Sequence, residues 1–128
     1  MNNISKDIVL LIHEKLINDT GGIHGIRDES LLESSIYAPF SEYGGVELFP
    51  SIMEKAARFA FGIVKNHPFI DGNKRIGIMA MQIFLYINGI ELICSNDDLV
   101  ELGLGIANGE TDYQKIADWL KVNTKERT

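Results

Sequence analysis

Two stretches of this sequence are apolar around most of a helical circumference, and a short polar turn separates them. In the first, Ile52, Ala56, Phe59, Ala60, Ile63 and Val64 leave few polar positions, and Ser51-Ile52-Met53-Glu54 has the form of a capping box at its start. In the second, from Lys74 to Asn88, the residues Ile76, Ile78, Met79, Met81, Ile83, Phe84, Leu85 and Ile87 leave fewer still, and Asn88-Gly89 supplies a left-handed exit. A helix that is apolar on all sides has to be covered by other elements. The pattern therefore predicts an all-α protein with these two helices in its core.

Four further helices follow from the same signals. Ser5 can cap a first helix with Ile8, Leu11, Ile12 and Leu16 on its inner face, stopped by Gly21-Gly22; His13 on this helix is expected at the surface. Asp28 can cap a short second helix carrying Leu31, Leu32 and Ile36 and ending at Pro39. After the core pair, Ile90 to Cys94 reads as an extended connector. Ser95 or Asn96 then opens a helix with Leu99, Leu102 and Ile106, in which Gly103 and Gly105 mark close packing, and Thr111-Asp112-Tyr113-Gln114 starts a last one through Ile116, Trp119 and Leu120. The polar tail after Val122 is expected to fray. Between the second and third helices, Ala38 to Pro50 contains two prolines, Gly44-Gly45 and the aromatics Phe40, Tyr43 and Phe49, which reads as an exposed loop or loose hairpin.

A chain of 128 residues, 45% hydrophobic, suits one domain over residues 1–128. Its net charge of −6 argues against a nucleic-acid partner and against attachment to an anionic membrane. Cys94 is the only cysteine, so no intramolecular disulfide or cysteine-based zinc site is expected. The start of the chain lacks an export signal, and Gln82 and Asn88 interrupt the longest apolar stretch before it reaches spanning length. A cytoplasmic protein is the expectation.

The turn between the core helices, His67-Pro68-Phe69-Ile70-Asp71-Gly72-Asn73-Lys74-Arg75, places a base, a carboxylate and two cations at the mouth of a helix. Proline disfavours the right-handed α conformation at the residue before it, so the preceding helix should end at His67, and Asn73 is a good N-cap for the next. Orphan N–H groups, the helix dipole, Lys74 and Arg75 would together favour phosphate. Histidine titrates near neutrality, which suits His67 to a general base; Asp71 offers a hard oxygen ligand, or bonds its own turn; Gly72 permits positive φ; Asn73 can offer an amide to an anion; Phe69 should point inward. A Walker P-loop string is absent, and the ligands of a hydrolytic zinc site are not evident around His67.

These nine residues resemble the Fic/Doc signature H-x-F-x-(D/E)-(A/G)-N-(G/K)-R at every specified position, and Gly21 to Ser34 is similar to the opening of death-on-curing (Doc-type) members. The resemblance implies a compact bundle of about six helices with a small flap over the active site. It makes His67 the base, Asp71 the Mg²⁺ ligand, and Gly72, Asn73, Lys74 and Arg75 the nucleotide-phosphate site. Tyr43, Gly44, Gly45 and Val46 become the flap that registers the target by strand-like pairing. Where AMP-transferring relatives carry Gly, this chain has Lys74, which implies a reversed ATP presenting its γ-phosphate to a protein hydroxyl. The implied target is a translational GTPase such as elongation factor Tu. AMP transfer and a non-catalytic nucleotide- or partner-binding role remain the alternatives. Many relatives inhibit themselves with Ser/Thr-x-x-x-Glu-Gly/Asn, and no Ser or Thr here has a Glu four residues later. An antitoxin protein in trans is therefore implied.

Overall fold

Helix starts are fixed locally, by polar side chains that accept orphan N–H groups. The computed structural model describes all residues, Met1–Thr128. In it Ser5, Asp28, Ser51, Ser95 and Asp112 cap α1 (Lys6–Thr20), α2 (Glu29–Tyr37), α3 (Ile52–Asn66), α5 (Asn96–Ala107) and α6 (Tyr113–Val122). The reciprocal capping box forms at Ser95 and Asp98; at Ser51 the Glu54 carboxylate accepts from the Ser51 hydroxyl instead. The remaining helix, α4 (Asn73–Ile87), has no side-chain cap.

The two apolar helices form the centre. On α3, Ala56, Ala57, Phe59, Ala60, Ile63 and Val64 are completely buried, as are Ile76, Ala80, Met81, Phe84 and Leu85 on α4. Gly77 sets how closely the pair approaches, since a Cβ there would lie 2.7 Å from Val64 Cγ2. The other helices cover this pair, with α6 and α2 against α3 and α1 and α5 against α4.

Four features differ from the sequence expectations. On α1 the buried stripe is Val9, His13 and Ile17, while Ile8 and Leu11 are exposed, because apolar residues occur on two sides of this helix and the side with the better partners wins. His13 belongs to the buried side, at 3% exposure. The segment after α2 does form one of the two expected structures, a hairpin of β1 (Glu42–Tyr43) and β2 (Val46–Glu47) with Tyr43 opposite Val46, preceded by a 3-10 turn at Ala38–Phe40; what differs is the placing of its aromatics. Gly44 and Gly45 both have positive φ, as a tight hairpin turn requires. Tyr43 is exposed, but Phe40 packs edge-on to Phe84 and Phe49 edge-on to Tyr113. Finally, the tail does not fray: β4 (Thr124–Glu126) pairs antiparallel with β3 (Ile90–Leu92), satisfying backbone groups that a lone connector would leave to water. Arg127 holds the end, its N–H donating to Gly89 O (2.7 Å) and its guanidinium lying 4.3 Å from the Tyr86 ring centre.

Candidate functional site

The turn between α3 and α4 is held in place from both sides. His67 ends α3 with φ 49°, the one non-glycine residue of the chain at positive φ, a conformation that costs on the order of 1 kcal/mol. Arg27 supports it: Nε donates to His67 O (2.6 Å) and Nη2 to Asn66 O (2.7 Å), while Pro68 O accepts from the N–H groups of Arg27 and Asp28. Ile70 N–H donates to Gly25 O (3.0 Å), so the turn and the segment between α1 and α2 lie against each other much as two short strands do. On the inner side Phe69 is buried and stacked 3.8 Å from the His13 ring, and His13 Nε2 lies 2.8 Å from Asp71 O.

Asn73 has a different task from the N-cap expected of it. Gly72, at φ 78°, occupies the N-cap position, and the Asn73 carboxamide clasps the backbone of Phe69, donating to its oxygen and accepting from its N–H (both 3.0 Å). With the side chain so occupied, Asn73 presents only its backbone N–H to the cleft. The N–H groups of Asn73, Lys74 and Arg75 meet no acceptor in the protein, and the first bond of α4 runs from Ile76 N–H to Gly72 O. These three donors and the positive end of the helix dipole are the kind of arrangement that can hold an anion.

The Asp71 carboxylate accepts from Gly72 N–H (2.8 Å) and Ile23 N–H (3.1 Å), with the Arg75 guanidinium 3.9 Å away. The backbone donors of Ile23 and Gly72, and then Arg75 and His13, hold its carboxyl below the usual carboxylate range. Self-bonding in the turn and a role as a ligand are compatible here, because each oxygen retains a free lone pair and the side chain is 42% exposed. Gly22 allows the approach, since a Cβ there would fall 2.7 Å from Asp71 Oδ2. Arg75 is braced against the end of α1, donating to Thr20 Oγ1 and to Gly21 O, whereas Lys74 is exposed and forms no ion pair.

The result is a cleft of about 390 Å³ lined by His67, Ile70, Asp71, Gly72, Asn73, Lys74 and Arg75. It unites His67, Asp71, Gly72, Asn73, Lys74 and Arg75, the signature residues singled out for chemistry, while Phe69 faces the core as expected. The hairpin tip, Tyr43 to Val46, does not line it. The exposed His67 ring makes one loose contact, Nδ1 at 3.4 Å from Lys65 O; a proton on Nδ1 directed there leaves the Nε2 lone pair free to accept another. Sequence reasoning missed Arg27, His13 and Lys55. Arg27 lies within the Gly21 to Ser34 stretch already singled out, and the Val9, His13, Ile17 spacing was a readable stripe. For Lys55 there was no signal, because a lysine on an apolar helix is ordinarily exposed.

Comparison with known proteins gives a consistent picture. Residues 3–85 match the model of the Fic/DOC family. A protein named Toxin Doc from Mycolicibacterium smegmatis is 36% identical over 99 residues, 76% of each chain. Protein kinase doc from Escherichia phage P1 is 28% identical over 121 residues, 94% of each chain.

Proposed function

Because the chain belongs to the Fic/DOC family, we propose that it is a Doc-like toxin that transfers the γ-phosphate of ATP to a hydroxyl side chain of a target protein. The observation that carries the proposal is the single cleft shared by His67, Lys74 and three unpaired N–H groups of α4. His67 Nε2 takes the proton of the target hydroxyl as its oxygen attacks the γ-phosphorus; the bond to the β-phosphate oxygen breaks and ADP leaves. The N–H groups of Asn73, Lys74 and Arg75, with the Lys74 ammonium, hold phosphate oxygens as charge shifts among them. The lone pairs left on Asp71 fit Mg²⁺, which commonly takes one or two protein carboxylates and would neutralise phosphate charge. Tyr43, Gly44, Gly45 and Val46 present the target segment from the hairpin.

The proposed target is a translational GTPase, elongation factor Tu being the resemblance's candidate, and the proposed restraint is an antitoxin protein. Relatives named as a toxin and as a protein kinase support this reading. No helix is long and apolar enough to cross a membrane, and a cytoplasmic site of action is part of the proposal. Incubation with a cell extract and either γ-labelled or α-labelled ATP tests it. Label on protein from the γ position alone is expected; label from the α position would mean AMP transfer, and none from either would mean a binding role.

A further inference from the structure

His13 is buried against the signature turn without lining the cleft, and the proposed transfer gives it no task. Its ring lies flat on Phe69, the centroids 3.8 Å apart and the planes 9° from parallel. Its Nε2 lies 2.8 Å from Asp71 O, and that oxygen has no other hydrogen-bond partner in the protein. A carbonyl can only accept, so Nε2 carries the proton and donates it. Helix α1 lies close here, for a Cβ at position 72 would meet His13 Nε2 at 3.5 Å and Ile17 Cδ1 at 3.1 Å.

The peptide group so held joins Asp71 to Gly72, and it is trans. In a trans peptide the C=O and N–H point in opposite directions. With its oxygen turned to α1, this group turns its N–H the other way, where it meets Asp71 Oδ1 at 2.8 Å. Nothing in Gly72 itself fixes that orientation. Its φ is 78°, but glycine takes either sign of φ, and rotation of the peptide group changes mainly this angle and the ψ before it. The reversed group would face a carbonyl oxygen towards the Asp71 carboxylate and the cleft it lines. Other restraints in the turn act elsewhere: the Asn73 clasp holds Phe69, Gly25 O holds Ile70 N–H, and Ile76 N–H holds Gly72 O.

We propose that His13 is a positioning residue for the signature cleft, its Nε2–H fixing the Asp71–Gly72 peptide group with the N–H outward and so setting the carboxylate that would hold Mg²⁺. The inference rests on the reading of the cleft as a phosphate site.

Two substitutions separate the hydrogen bond from the packing. His13→Phe keeps an aromatic ring on Phe69 and lacks the donor, whereas His13→Gln lacks the ring but can offer a carboxamide N–H. The Gly72 amide resonance of isotope-labelled protein reports whether its N–H still meets the carboxylate, and titration calorimetry with inorganic tripolyphosphate and Mg²⁺ reports the cleft. In His13→Phe the resonance should move or broaden, and tripolyphosphate should bind roughly 10–100-fold more weakly, the scale on which partners of metal ligands act. His13→Gln should bring both back towards wild type, even where its melting temperature is the lower of the two. Packing alone would make His13→Phe the better binder. An unchanged Gly72 resonance and affinity in His13→Phe, or an affinity in His13→Gln no better than in His13→Phe, would overturn the inference while leaving the phosphate site standing. A wild-type protein that binds no tripolyphosphate would overturn the phosphate reading and this role for His13 with it.

Discussion

His67 and Asp71 sit four residues apart in one turn, yet their environments prepare them for different work. The imidazole is exposed and almost free of partners, so His67→Ala should leave the melting temperature nearly unchanged and reduce phosphate transfer by ~10²–10⁴-fold; transfer near the wild-type rate would remove it as the base. Asp71 is tied to the backbone, and its substitution should be felt in stability as well as in metal-dependent binding. Its folded-state pKa is depressed. The stabilisation is therefore fully present above the ordinary carboxylate pKa and is lost as pH falls through the depressed folded value. Melting temperatures of wild type and Asp71→Asn should differ near neutrality and converge below about pH 4. A difference that persists unchanged in acid would show that the carboxylate's charge does not hold the turn.

Among the elements, the hairpin and α3 are joined by one buried cation. Lys55, on the otherwise apolar core helix, is 1% exposed; its ammonium donates to Pro39 O (3.3 Å), Phe49 O (2.5 Å) and Glu47 Oε1 (3.1 Å), and it lies 5.0 Å from the Phe40 ring centre. It thus ties down both ends of the flap and one strand within it. Lys55→Met fits the volume but leaves two carbonyls without their donor, and should destabilise by about 1–3 kcal/mol in urea unfolding. Cleavage by a protease of low specificity should rise between Glu42 and Leu48. Glu47→Gln, which keeps the cation and its carbonyl acceptors, should change stability by less than about 1 kcal/mol, since this carboxylate is half-exposed. An unaltered cleavage pattern in Lys55→Met would mean that Phe40 and Phe49 hold the flap by packing alone.

At the scale of the whole molecule, the last strand closes the bundle by pairing with the connector between α4 and α5. Removal of residues 123–128 should lower the melting temperature by about 4 °C or more, whereas loss of a frayed tail would leave it unchanged. That segment also marks where reasoning from sequence stopped. Helix number, most caps, the central pair and the signature turn could be read directly, because capping and amphipathic spacing act within a few residues of the chain. The pairing of β3 with β4, the burial of His13 and Lys55, and the release of Asn73 from capping could not. Each depends on an acceptor or a strand edge far along the chain: Thr124 meets Leu92, His13 meets Asp71, Lys55 meets Pro39. Asn73 is the subtler case, for it clasps a residue only four positions away, within a turn that Arg27 and Ile23 also hold through His67 and Asp71. Local physics set which side chains stood at the mouth of α4, and tertiary packing decided which of their atoms were left free to act.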